Sequence, residues 1–226
     1  MAKRIIITLA ALTPAAACSA PVPPHQQVIE LYQSQGCSSC PPANAVLNRL
    51  ADRKDLLTLS FSVTYWDYLG WKDRFATPAF TQRQYDYSAG AHRQGVQTPQ
   101  MIINGRGFIT GTTAGEVSAA LGRFARTAPE PDIAATAGKV TVGEGQGQGT
   151  VWLVRYDPGV LQVPISAGEN SGRTLPHRHI VRELTRLGDW TGAAASFSRP
   201  SLAPGLKEAV LVQDGKGGPI IAAAGL

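Results

Sequence analysis

Basic charge is in modest excess in this 226-residue chain, at +5 with a pI of 9.3, yet no Lys/Arg run interleaved with aromatics concentrates it. Without such a run there is no nucleic-acid footprint, and the charge reads as a solubility trait. Long hydrophobic runs are also missing: Ile5 to Leu12 is too short to span a bilayer. Cysteine is scarce, with three in all, and no second C-x-x-C completes a zinc set beside Cys37-Ser38-Ser39-Cys40. Nor is there a Ser-His-Asp order, a phosphate loop or a dinucleotide fingerprint in the right context. What remains is an ordinary soluble globular composition, 43% hydrophobic and 16% charged, long enough for one large domain or two small ones.

The N-terminus carries Lys3 and Arg4, then the apolar run, then Ala15, Ala16 and Ala17. This is the layout of a secretory signal over residues 1–20, and cleavage after Ala17 makes Cys18 the first mature residue. Cys18 resembles the lipid-acceptor cysteine of bacterial lipoproteins, although Ala15 stands where that motif usually has a larger apolar residue. Two outcomes stay open: a lipidated Cys18, or a cleaved or inert one. Either way the chain is expected to be exported to the periplasm or cell envelope, with membrane contact only through the lipid that a modified Cys18 would carry. In that compartment disulfides persist, which favours a redox role or a structural bridge for Cys37 and Cys40.

Hydrophobic spacing predicts a strand over Val28 to Tyr32, the dithiol, a helix from about Pro41 to Asp52, and a second strand over Leu56 to Val63. The aromatic segment Tyr65-Trp66-Asp67-Tyr68-Leu69-Gly70-Trp71 fits neither period and reads as a lid or packed loop. Thr77 is a predicted N-cap for a helix reaching Arg93, with Pro78 at its first position. Asn104-Gly105 marks a hairpin between strands at Met101 to Ile103 and Phe108 to Thr110, and Thr113 to Arg126 reads as a helix. Pro129 and Pro131 mark a linker over 128–137. Beyond it, strands are expected at 139–142, 150–156, 160–165, 209–213 and 220–224, with a helical patch at His179 to Leu187.

A helix N-terminus stabilises a thiolate through its unpaired N–H groups, so Cys37 is expected to be the acidic, exposed nucleophile. Cys40, one turn into the helix, is the expected resolving thiol. Metal binding and a static bridge remain as alternatives at this point. His177 and His179 flank Arg178, and on a strand both imidazoles would share a face and could ligate a metal. Glu169, Asn170 and Arg173 form a polar cluster that caps a loop.

The order of strand, C-x-x-C, helix, strand and helix, with Thr98-Pro99 opening a hairpin, resembles the thioredoxin superfamily. Glu30 to Pro42, Tyr65 to Asp73, Thr98-Pro99-Gln100-Met101 and Gly168 to Arg173 resemble more narrowly a secreted bacterial family known as a domain of unknown function. The resemblance implies an α/β fold: a thioredoxin-like domain over 25–127, followed by a small β-rich domain over 138–226. It also implies that Pro99 is the cis-proline beside the dithiol, that Thr98 pairs with an extended substrate, and that Glu30 stands in for a buried acid assisting Cys40. Glu30 is one residue further from Cys37 than that pattern has, Gly36 replaces the usual Trp, and Ser-Ser lies between the cysteines.

The expected function is thus a thiol–disulfide oxidoreductase of the envelope, with Cys37 and Cys40 catalytic and Thr98 and Pro99 docking the substrate. It needs no cofactor or nucleic acid and acts on protein or small thiol and disulfide substrates. The rivals are an exported protein that holds copper(I) on the dithiol, and an interaction protein with a static disulfide.

Overall fold

The computed structural model of the chain describes residues 26–127, 129–201 and 204–226. The signal reading of residues 1–20 and the candidate lipid acceptor Cys18 lie outside the described residues. Among the described residues the architecture is mixed α/β, with three α-helices and 13 strands in several sheets. No described helix is long and apolar enough to cross a membrane.

The first sheet has the order β2-β1-β3-β4, built from β1 (Gln27–Gln33), β2 (Leu56–Ser62), β3 (Gln100–Ile103) and β4 (Gly107–Ile109). β1 and β2 run parallel and are joined through α1 (Pro41–Leu50). A period of two along β1 sends Ile29 and Leu31 to one face, where they pack on Ala43, Val46 and Leu47 of α1 and on α3 (Ala114–Arg123). Val28 and Tyr32 go to the other face, against α2 (Pro78–Gly90) and the second sheet. The predicted helix starts hold. Thr77 Oγ1 accepts from Phe80 N at 3.2 Å, and Thr113 Oγ1 accepts from Glu116 N at 3.2 Å. Asn104 and Gly105 both have positive φ, 51° and 67°, in the β3–β4 turn, and a Cβ on Gly105 would come 2.6 Å from Gly218 O.

The second half is strand-rich. β7 (Gly149–Tyr156), β10 (Val181–Trp190), β12 (Lys207–Gln213) and β13 (Ile220–Gly225) form a sheet in the order β10-β7-β12-β13. β5 (Ile133–Thr136), β6 (Lys139–Val142) and β11 (Ala195–Ser198) form another, and β8 (Val160–Pro164) pairs with β9 (Thr174–Arg178). Two sequence expectations need correction here. The expected helical patch at His179 to Leu187 is not helical: from Val181 it is β10, whose register shifts beside Glu183 and Gly188 break the alternation that would have marked it. Residues 128–137 carry β5, in which Ile133 is the one fully inward large side chain, too little to register as a strand. The core crosses from one half to the other: Val28, Phe61 and Tyr87 pack with Val154, Tyr156, Leu211 and Ile220.

Within that core lies an ion pair. Arg83 on α2 donates Nε to Glu30 Oε2 at 2.8 Å and Nη2 to Glu30 Oε1 at 2.9 Å, with both side chains almost wholly buried. The Tyr32 and Tyr87 hydroxyls donate to the same carboxylate at 2.8 and 2.6 Å, and Arg83 Nη1 donates to Gln213 Oε1 on β12 at 2.9 Å. Burial, reinforced by the Glu30 charge, holds both phenols well above the usual tyrosine range. Removing one partner strands the other's charge in the core. Arg83→Met is therefore expected to destabilise the fold by about 3–5 kcal/mol, seen as a lower urea midpoint at unchanged slope.

Candidate functional site: the Cys37–Cys40 loop

Cys37 and Cys40 are joined in a disulfide, with Cα atoms 5.5 Å apart, at the mouth of α1. Cys40 is the N-cap of that helix; Pro41 and Pro42 follow it, where a missing N–H costs no helical bond. Cys40 N bonds Cys37 O at 3.2 Å and Cys37 N bonds Ser34 O at 3.2 Å, so the loop is a pair of tight turns ending in the helix. The Thr98–Pro99 bond is cis. Thr98 Oγ1 donates to Cys37 Sγ at 3.3 Å, Ser39 Oγ lies 3.3 Å from the same sulfur, and Trp66 Nε1 donates to Thr98 Oγ1 at 2.7 Å.

The opposite wall comes from far along the chain. The loop after β8 brings Asn170, which is fully buried, to donate its amide protons to Gln35 O at 2.9 Å and Cys37 O at 2.8 Å. Arg173 Nη1 fixes the other end of that amide at 2.7 Å. Glu169, at the surface, accepts from Ser38 N at 2.9 Å, and this bond holds its carboxyl below the usual carboxylate range. Gly168 makes the approach possible, since its φ is +74° and a Cβ there would sit 3.3 Å from Trp71 Cβ. On the inner side, Asp73 accepts from Gln35 N at 2.9 Å and Trp71 Nε1 donates to Gln35 Oε1 at 2.9 Å. Burial pushes the Asp73 carboxyl up, offset in part by the backbone bonds it accepts.

Of the residues singled out from sequence, Cys37, Cys40, Thr98 and Pro99 come together. Cys37 is not exposed as expected: both cysteines are 0% accessible, with Thr98 on the Cys37 sulfur and Asn170 on the Cys37 carbonyl oxygen. Cys40 caps the helix; it does not lie a turn inside it. Glu30, expected to assist Cys40, is turned away from it. Its carboxylate is engaged by Arg83, Tyr32 and Tyr87 on the α2 face, while α1 packs on the Ile29 and Leu31 face. Sequence reasoning missed Trp66 and Asn170 as site residues. Both lie in motifs already noted, but one was read as packing and the other as a loop cap.

His177 and His179 do not form a metal set, and no group of three or more His, Cys, Asp or Glu able to hold a metal occurs among the described residues. His179 has φ +50°, which breaks the strand alternation, and its Nδ1 lies 2.8 Å from Thr58 Oγ1. His177 is buried, with no hydrogen-bond partner at either ring nitrogen. A cavity lined by Arg83, Trp152, Leu184 and Gln213 contains none of the residues around the disulfide.

A family model described as "Protein of unknown function (DUF1223)" matches residues 28–213. No curated protein matches the chain. A crystal structure of a protein from Agrobacterium tumefaciens is similar at a TM-score of 0.76 and 29% identity, covering 89% of this chain and 94% of that one. HBP35 of Porphyromonas gingivalis is similar in fold at a TM-score of 0.54 and 11% identity, covering 89% of this chain and 74% of that one.

Asn170→Ala takes a donor from two carbonyls of the cysteine loop, and while Cys37 O keeps its bond from Cys40 N, Gln35 O is left without its partner. It is expected to cost about 2 kcal/mol or more and to speed reduction of the disulfide by dithiothreitol at least roughly tenfold, followed by thiol labelling. A second expectation concerns pH. Burial, with Arg74 adding to it, pushes His177 from 6.5 down to about 4. The unfolded chain takes up this proton near pH 6.5 and the folded chain does not until about pH 4. Stability is therefore full above pH 6.5 and falls as the pH drops toward 4, by about 3 kcal/mol. His179, lowered chiefly by burial, adds in the same direction. Urea midpoints of His177→Leu between pH 7 and 4 should show a shallower loss than wild type.

Proposed function

We propose that the chain, which belongs to the DUF1223 family, is a thiol–disulfide oxidoreductase working through Cys37 and Cys40. The reading takes residues 25–127 as a thioredoxin-like unit and 138–226 as a β-rich unit that completes its site. The observation that carries it is the set of donors aimed at one sulfur: Thr98 Oγ1 and Ser39 Oγ both lie 3.3 Å from Cys37 Sγ, at the mouth of a helix. A static bridge needs no such donors. A thiolate does, because hydrogen bonds to its charged form are the strong ones.

In the reducing direction, the Cys37 thiolate attacks a substrate disulfide, forms a mixed disulfide and expels one substrate thiolate. The Cys40 thiolate then attacks Cys37 Sγ, closing the Cys37–Cys40 bond and releasing the second. Two electrons pass from the dithiol to the substrate, and each released thiolate takes up a proton. Run backward, the same steps oxidise a substrate dithiol. Substrates are protein or small thiols and disulfides, and export, read from residues 1–20, supplies a compartment where both states persist.

With both cysteines buried, exchange requires the site to open around Cys37. That same burial favours a second reading, a static bridge clamped by Asn170. Trapping separates the two. Cys40→Ala is expected to accumulate reductant-sensitive adducts on non-reducing gels, absent when Cys37→Ala is added. No adducts, together with a wild-type disulfide that resists reduction, would leave the static bridge.

A further inference from the structure

Trp66 Nε1 lies 2.7 Å from Thr98 Oγ1, and Thr98 Oγ1 lies 3.3 Å from Cys37 Sγ. The indole nitrogen is a donor only, so Thr98 Oγ1 accepts in the first contact. A threonine hydroxyl has one proton, and with an acceptor position taken by Trp66 that proton is turned toward Cys37 Sγ; the Tyr65 phenol, whose own proton goes to Gln84 Oε1 at 3.1 Å, also faces the Thr98 side chain. Ser39 is a less committed donor, since its single proton is divided between Cys37 Sγ and Thr98 O, 3.4 Å away. Unlike a hydroxyl or an imidazole, an indole N–H has no alternative role through which the chain could reverse.

We infer that Trp66 is a positioning residue, which turns the Thr98 hydroxyl toward Cys37 so that the thiolate there meets a fixed donor. The inference rests on the oxidoreductase reading, because only a reduced Cys37 uses the donor. The ring is set for the task. Its Cβ lies 3.6 Å from where a side chain on Gly36 would begin, so the ring packs on the residue before Cys37, while Tyr68 on its other side is exposed. The charges about the loop make the donor necessary. Glu169 on Ser38 N and Asp73 on Gln35 N are both carboxyl groups, while the Arg173 guanidinium is spent on Asn170 Oδ1. A negative neighbour disfavours a thiolate, and donors to the sulfur offset it.

The test uses the full chain carrying Cys40→Ala, with ionisation of Cys37 followed by thiolate ultraviolet absorbance across pH, a readout independent of access to the sulfur. Trp66→Phe is expected to raise the midpoint by about one pH unit, a tenfold loss of thiolate below it. Thr98→Val should do the same, and the double variant should go no further, since both changes remove one proton's direction. Tyr68→Ser, which spares the indole N–H, should leave the midpoint in place. An unmoved midpoint in Trp66→Phe, or additive shifts in the double variant, overturns the inference. Should Trp66→Phe fail to fold, Thr98→Val alone decides, because an unmoved midpoint there leaves the indole nothing to act through. Failure of the oxidoreductase reading looks different: the Cys40→Ala chain then forms no adduct with glutathione disulfide, whatever its midpoint.

Discussion

The buried pair of Glu30 and Arg83 sets the parity of β1, and most of the molecule follows from that parity. A carboxylate in the core is tolerable only opposite its guanidinium and the two phenols that complete its hydrogen bonds. Slipping β1 by one residue would turn Glu30 into Val46 and Leu47 of α1 and lift Leu31 into the polar network. With the parity held, Ile29 and Leu31 face α1, α1 lies against them, and its N-terminal end presents Cys40 beyond the end of β1. Because Arg83 also binds Gln213 on β12, the same pair ties the first sheet to the second. The site therefore depends on an interaction that touches neither sulfur.

Local signals predicted the elements that position the dithiol. β1, α1, β2, α2 and the Asn104-Gly105 hairpin each have a strong period, a proline-started helix or a turn that needs positive φ, and these are readable over a few residues. Where the pattern is broken by bulges, as in β10, or reduced to one inward side chain, as in β5, short-range reading fails. The site was legible as far as its covalent chemistry. Its far wall was not, because the residues that hold the cysteine loop from that side lie more than 130 positions away, at Asn170 and Glu169. No spacing rule links residues so distant. Glu30 misled for a related reason: a lone acid in an apolar strand signals a role but not a partner, and the partner was Arg83 on a helix beyond the next strand.

The two arms of the loop that holds the cysteine loop differ in kind. Asn170 is buried, and releasing its amide leaves Gln35 O without its partner, while Cys37 O keeps the bond from Cys40 N. Glu169 is exposed, and its bond to Ser38 N can be exchanged for water at little net cost. Local opening favours the segment with few buried contacts. Ser38 and Ser39, both exposed, lie under the arm that yields first. The exposed bond at Glu169 is thus the weaker of the two holds on the cysteine loop, and the buried one at Asn170 the stronger.

The parallel bridge between Ser60 and Ile180 has a consequence for what the chain tolerates. β2 is an edge of the first sheet, and its outer side is covered where Ser60 N bonds His179 O at 2.9 Å and Thr58 meets the His179 ring. An uncovered edge is a row of unpaired N–H and C=O groups, ready to recruit a strand from another molecule. A fragment ending near residue 127 would keep the dithiol and the three described α-helices but lose that cover. Its expected fate is self-association through β2, because the second half supplies the cover for an edge that the first half leaves open.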